Sequence, residues 1–370
     1  MMPTVAGDKS TIEVEGQQYL NLAGNDYLGL AGDRQLVQEF YQDMGPDNLL
    51  GRFGPGSGAS RLMTGNHTGY QRLEEQLSNL YKTESALVFN SGYHINIGLL
   101  PALAGKGDLI LADKLCHASL IDGMRLSRAR VIRYPHCGYD QVKKLLQRHS
   151  SFHEKIFLVT ESLFSMDGDC ADLDKLVNLK EQYGAILYVD EAHAVGVRGP
   201  GGLGLAEEQN VLRKIDLLVG TFGKAWAGQG AFVACSQLLA DNFVNSARSL
   251  IFTTAMPPVA VNWLSFVAPR ISAMSAQRDH LRQLANELRT SLQAMGLTTG
   301  GSSQIVPVMI GDAARAVTVA DKVRQQGFWI NAIRPPTVPP GTSRLRLSLT
   351  AGMDADQLAS LPDAIAGAMA

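Results

Sequence analysis

Seven short runs rich in apolar residues, at 86–89, 109–112, 130–134, 156–160, 186–190, 217–221 and 231–234, most constrain what this chain can become. Most are too short for helices and too continuously apolar for strands with one wet face, so they read as strands buried on both sides. Helical patterns lie between them, among them 70–81, 139–149 and 173–183. In the first of these, Leu73, Leu77, Leu80 and Tyr81 fall on one face. Strands alternating with helices predict an α/β fold whose large domain holds a mostly parallel seven-stranded sheet covered by helices.

After Pro258 the rhythm changes. A long helical region is predicted over 259–295, with Leu281, Leu284, Leu288 and Leu292 on one face. Strand-like 305–310, a helix over 313–326, strand-like 328–333 and 345–349, and a last helix from Asp354 follow. This reads as a smaller α+β C-terminal domain. A chain of 370 residues also exceeds what one ordinary core organises. The expected division is an N-terminal segment 1–45 packing on the small domain, a large cofactor-binding domain 46–260 and a small domain 261–370.

With 45% hydrophobic and 18% charged residues the chain can bury a sizeable core. A net charge of −2 gives no electrostatic reason to expect nucleic acid or an anionic membrane as a partner. Cys116, Cys137, Cys170 and Cys235 are scattered without metal-ligand spacing, so reduced thiols and no metal are expected. The N-terminus has neither a basic nor an apolar leader segment, and a cytoplasmic location is expected. Residues 249–269 carry no charge, yet Pro257 and Pro258 interrupt them, so a buried loop running into a helix is expected rather than a membrane span.

Two glycine motifs are decoys. Gly199-Pro200-Gly201-Gly202-Leu203-Gly204 matches the dinucleotide fingerprint but follows its strand only after a further loop, and Gly54-Pro55-Gly56-Ser57-Gly58-Ala59 precedes every predicted strand of the main sheet. Asp190-Glu191-Ala192-His193 spells a helicase-type acidic box. The phosphate loop a nucleoside triphosphatase needs is absent, because Leu218 and Ala225 occupy its glycine and hydroxyl positions around Gly223-Lys224.

The informative residues stand at strand ends, the rim where open α/β sheets bind ligands. Asp190 ends one apolar run, and Lys224 follows another. A carboxylate and an amine on one rim are what pyridoxal 5'-phosphate requires: an anion to keep the ring nitrogen protonated and a lysine for the Schiff base. His193 lies three positions on, in reach of a phenolic oxygen. His117 follows the 109–112 run and can cover a ring face. Ser91-Gly92-Tyr93 opens a helix whose N–H groups suit a phosphate, while Thr221 and Ser165 offer hydroxyls at other strand ends. Arg334, followed by Pro335 and Pro336, suits a bidentate grip on a substrate carboxylate.

The motifs Asn25-Asp26-Tyr27-Leu28-Gly29-Leu30, Ser91-Gly92-Tyr93, His117-Ala118-Ser119, Phe164-Ser165-Met166-Asp167-Gly168-Asp169, Asp190-Glu191-Ala192-His193 and Thr221-Phe222-Gly223-Lys224 resemble the α-oxoamine synthases. That family has the fold-type I aminotransferase-like architecture and condenses an amino acid with an acyl thioester, losing carbon dioxide. The stretch 334–346 is most similar to members that join L-alanine to pimeloyl-CoA or a pimeloyl carrier protein in biotin biosynthesis. The resemblance implies Lys224 on the cofactor, Asp190 at the ring nitrogen, His193 and Ser165 near the phenolic oxygen and His117 on the ring face. It also implies Thr221 with the Gly92 and Tyr93 amides at the cofactor, and Asn25, His117, Arg334 and Thr337 at the substrate. A homodimer with its active site at the interface is implied too, with Thr253 and Thr254 reaching the partner's phosphate. A sister activity on glycine and a short acyl-CoA and a non-catalytic, cofactor-binding descendant are the alternatives. Two departures bear on the acyl substrate: no arginine precedes Arg34, and the loop near 45–55 is longer than the family's.

Overall fold

The computed structural model of the chain describes residues 2–370; Met1, which opens the expected 1–45 segment, lies outside them. In chain order the strands are β1 (Val5–Ala6), β2 (Thr11–Val14), β3 (Gln17–Asn21), β4 (Ser85–Phe89), β5 (Leu109–Asp113), β6 (Arg130–Tyr134), β7 (Ile156–Glu161), β8 (Ile186–Asp190), β9 (Leu217–Thr221), β10 (Ala231–Cys235), β11 (Ile305–Gly311), β12 (Phe328–Trp329), β13 (Asn331–Ile333) and β14 (Ser343–Ser348). They belong to two compact units. Unit 1 joins Met1–Glu39, Leu163–Cys170 and Met274–Ala370, and unit 2 joins Phe40–Ser162 and Ala171–Ala273.

Unit 2 is built on a seven-stranded sheet of order β4-β10-β9-β8-β7-β5-β6. Strands β9, β8, β7, β5 and β6 run parallel, and β10 alone is antiparallel to both its neighbours. Every residue of β5, β7, β9 and β10 is buried, as uninterrupted apolar runs require when helices cover both faces. One face packs Ile110, Phe157, Tyr188 and Val219 against Ile95 and Leu99 of the helix Gly92–Leu103, and against Leu120 and Met124 of the helix Ala118–Leu126. Each such side chain contributes about 1.5–3 kcal/mol on burial. The covering helices stop where their sequences say they should. Asp172 caps Leu173–Tyr183 by accepting from Lys175 N at 3.0 Å, and Gly184 leaves it at φ 65°.

Unit 1 has two small sheets. One has the order β1-β2-β3-β12, and β3 pairs in parallel with β12 through Leu20 and Phe328. The other, of order β11-β14-β13, is antiparallel. Its helices include Ser275–Ala294, which buries Leu281, Leu284, Leu288 and Leu292. The predicted 259–295 helix is in fact two, Pro258–Ala273 and Ser275–Ala294, divided at Met274. The predicted 328–333 strand is likewise two, because buried Ile330 separates segments that join different sheets. Among the described residues no helix is long and apolar enough to cross a membrane, and all four cysteines are thiols.

Candidate active site

Parallel strands deliver their C-terminal residues to one rim, and in unit 2 that rim carries the ionisable groups. Glu161 ends β7 and Asp190 ends β8, paired in register; β8 in turn pairs with β9, which ends at Thr221 and leads to Lys224. Asp190 is only 5% exposed. Its Oδ2 accepts from Asn96 Nδ2 at 2.8 Å and its Oδ1 from Ala192 N at 3.0 Å. Both of these donors are neutral. A protonated ring nitrogen is the kind of partner a buried carboxylate takes.

Asn96 ties the rim together. Its Oδ1 accepts from Tyr188 Oη at 2.5 Å, and its Nδ2 also reaches Ser119 Oγ at 2.9 Å. Ser119 Oγ in turn lies 2.8 Å from His117 Nδ1. An unbroken chain of hydrogen bonds thus runs from Asp190 to His117. The His117 ring keeps an exposed edge, yet desolvation at the rim holds its imidazole below the ordinary histidine range. Asp190 opposes that shift and Lys224 reinforces it, which sets all three groups in one electrostatic neighbourhood.

Lys224 is half-buried in a loop closed on itself: Phe222 N donates to Gly230 O, Gly228 N to Phe222 O and Ala227 N to Lys224 O. Phe222 and Trp226 anchor that loop, their rings 5.1 Å apart and both buried. Thr221 Oγ1 donates to Gly230 O at 3.0 Å, and a Cβ placed on Gly92 would stand 3.5 Å from it. Thr221 therefore stands at the N-terminus of the helix Gly92–Leu103, where Ser91 Oγ accepts from His94 N. A buried carboxylate, a lysine, an imidazole, a hydroxyl and a helix N-terminus on one rim fit the ring, aldehyde and phosphate of pyridoxal phosphate. His193 is buried three residues past Asp190. Thr253 is half-buried and Thr254 exposed; Thr254 O accepts from Asn90 Nδ2 at 2.6 Å, next to Ser91.

The remaining expected residues belong to unit 1. Ser165 sits in the segment Leu163–Cys170, which the large-domain reading does not separate. Arg334 and Thr337 are exposed. Arg346, by contrast, is buried and held on three sides: Nε donates to Ser165 O at 2.6 Å, and Nη2 to Asn25 Oδ1 at 3.1 Å and Tyr27 Oη at 3.3 Å. Sequence reasoning passes over Arg346, Glu161, Asn96 and Ser119. Only Arg346 and Ser119 lie inside quoted motifs, and none carries a signal of its own.

The glycine decoys resolve into structure. Gly204, at φ 118°, lies against buried Glu191, whose carboxylate accepts from Ser162 Oγ, Leu205 N and Ala206 N. Among the described residues one group, Asp113, His136 and Cys137, brings three metal-ligating types together. The Asp113 carboxylate is already engaged there by Leu115 N, Cys137 N and His136 Nδ1.

A family model described as aminotransferase class I and II matches residues 17–365. The chain belongs to that family. Among class I and II aminotransferase-family proteins it resembles an 8-amino-7-oxononanoate synthase of Chlorobaculum parvum, 47% identical over 358 residues covering 97% of this chain and 90% of the relative. A serine palmitoyltransferase variant from S. paucimobilis, solved with a bound PLP–myriocin aldimine, superposes with a TM-score of 0.91 at 29% identity, covering 99% of this chain and 92% of that one. The 8-amino-7-oxononanoate synthase of Francisella tularensis gives 0.79 at 26%, covering 94% and 97%. These relatives place this class I and II aminotransferase-family chain among the α-oxoamine synthases, as its motifs imply.

Proposed function

We propose that this chain catalyses the decarboxylative condensation of L-alanine with a pimeloyl thioester, of CoA or a carrier protein, giving 8-amino-7-oxononanoate, carbon dioxide and free thiol in biotin biosynthesis. The 47% identity to an 8-amino-7-oxononanoate synthase along nearly the whole chain carries this reading. Pyridoxal phosphate, when bound, supplies an electron sink for a carbanion at the amino acid's α-carbon.

The chain's own groups do the rest. Lys224 Nζ holds the cofactor covalently and, once displaced by alanine, takes and returns the α-proton. Asp190, fixed by Asn96, keeps the ring nitrogen protonated. His117 covers the ring face and polarises the acyl oxygen, and its neutral imidazole suits it to donate there without adding charge beside Lys224. His193 and Ser165 serve the phenolic oxygen; Thr221 and the Gly92 and Tyr93 amides serve the phosphate. Arg346, buried with Asn25 beside it, joins Arg334 as the cation for the α-carboxylate, with Thr337 as a further substrate contact. Residues 46–260 act as the large cofactor-binding domain, and the 1–45 segment packs on the small domain 261–370. The working form is a cytoplasmic homodimer in which Thr253 and Thr254 reach the partner's phosphate.

The deciding assay is thiol release from pimeloyl-CoA with alanine, set against acetyl-CoA with glycine and palmitoyl-CoA with serine. The last pair is included because the fold similarity to serine palmitoyltransferase, at a TM-score of 0.91, is high. Alanine with the pimeloyl thioester is expected to win by at least about tenfold, a margin of about 1.4 kcal/mol in transition-state binding; a faster rate with either rival pair reassigns the substrate. Lys224→Ala is expected to lose the visible cofactor absorbance and at least about a thousandfold in turnover.

A further inference from the structure

Glu161 is a buried carboxyl that none of the steps above uses. It closes β7 at 4% exposure, in register with Asp190 across the β7–β8 pair. The two carboxyls are held unequally. Asp190 accepts from two donors, Asn96 Nδ2 and Ala192 N, whereas the side chain of Glu161 accepts only from His117 N, at 2.5 Å through Oε1. A buried carboxyl with few donors and another carboxyl beside it holds its proton more readily than one in water.

We infer that Glu161 is a positioning residue of this site: as a neutral acid it anchors the backbone of His117 without placing a second negative charge beside Asp190. The inference rests on the proposed cofactor chemistry and says how the ring-covering histidine is held for it. The surrounding charges agree. Burial, the first cause, pushes the Glu161 carboxyl up to about 8; Asp190 and Asp113 push the same way, and Lys224 and the His117 N–H oppose them. Cys116, also facing it, is a thiol held well above its ordinary range by burial. The proton therefore stays on Glu161 at neutral pH, so Glu161 adds no negative charge beside Asp190.

The test compares the full-length protein, with and without added pyridoxal phosphate, with Glu161→Gln, which keeps the shape of the protonated acid and cannot ionise. The first readout needs no turnover. A carboxyl raised in the folded state stabilises the fold below its unfolded value and loses that contribution as pH rises to its folded value, here from 4.5 to about 8. The melting temperature of the parent protein is expected to fall through that window by more than that of the variant, and parallel curves overturn the inference. The second readout is the visible absorbance of the holoenzyme against pH. An inflection near 8 is expected in the parent and not in Glu161→Gln; its persistence in the variant also overturns it. Should Glu161→Gln prove insoluble, Glu161→Asp keeps an ionisable group but is one methylene too short for the His117 amide. It is expected to lower kcat by about tenfold to a hundredfold and to shift the inflection, and a variant indistinguishable from the parent in both sinks the idea. A protein that binds no cofactor ends the proposed function and leaves the melting curves to judge Glu161; parallel curves in an active enzyme end this inference alone.

Discussion

Asp190 depends on Asn96 for more than one hydrogen bond, since the same amide also orients Ser119, and through it His117. Replacing Asn96 with Ala removes the donor from a buried carboxylate and frees the imidazole chain at once. Leaving such a group short of a partner costs about 1–3 kcal/mol. Asn96→Ala is therefore expected to weaken cofactor affinity roughly tenfold to a hundredfold in a fluorescence titration; an unchanged affinity removes Asn96 from the site. At this scale legibility was uneven, for a physical reason. Asp190 and Lys224 stand out because a charge at the end of an apolar strand has no structural use that explains it. Glu161 has the same placement but follows Thr160, where the apolar run reads as already finished. Asn96 and Ser119 look like ordinary polar helix residues until the fold turns them toward one carboxylate. Arg346 is one of two arginines in β14, and nothing in its neighbours along the chain distinguishes the buried pair Arg344 and Arg346 from exposed Arg334.

At the scale of elements, the central strands were readable to within a residue at their ends, since burial on both faces leaves no polar residue to blur the run. The N-terminal strands went unread. Thr11–Val14 and Gln17–Asn21 are polar segments with exposed or half-buried positions, and they are strands only because they pair with each other and, in β3, with Phe328–Trp329 far along the chain. The division at Met274 is invisible for the opposite reason, as helical periodicity continues on both sides of it. Loops reward attention to conformation. Gly204 sits at φ 118°, where a Cβ would come within 2.7 Å of the Glu191 carboxyl carbon. Gly204→Ala must strain the backbone and disturb a buried carboxylate whose donors, Leu205 N and Ala206 N, begin the next helix. The expected cost is about 2–4 kcal/mol, measured as a lower urea midpoint; an unshifted midpoint shows that the loop absorbs the methyl.

At the scale of the whole molecule, unit 2 leaves unusual apolar surface uncovered. Leu62 is 65%, Met63 72% and Phe252 68% exposed, and the Ser60–Thr254 bridge brings their two segments together. Exposed apolar clusters of this kind mark interfaces, which fits the proposed homodimer. Light scattering is expected to give twice the chain mass for the parent protein. Met63→Asp combined with Phe252→Asp is expected to give monomers with at least about tenfold less activity, while a parent that is monomeric and active rules the dimer out. The antiparallel strand β10 has one more implication, and it concerns synthesis rather than catalysis. Among the described residues strand β4 finds its one sheet partner about 140 residues downstream, so at ribosomal speeds of roughly 5–20 residues per second it waits on the order of ten seconds or more with apolar edges bare. The helix that begins just after β4 waits with it. A nascent chain of this protein thus cannot close its large sheet around β10, beside the strand that ends at Thr221, until the ribosome has passed residue 235.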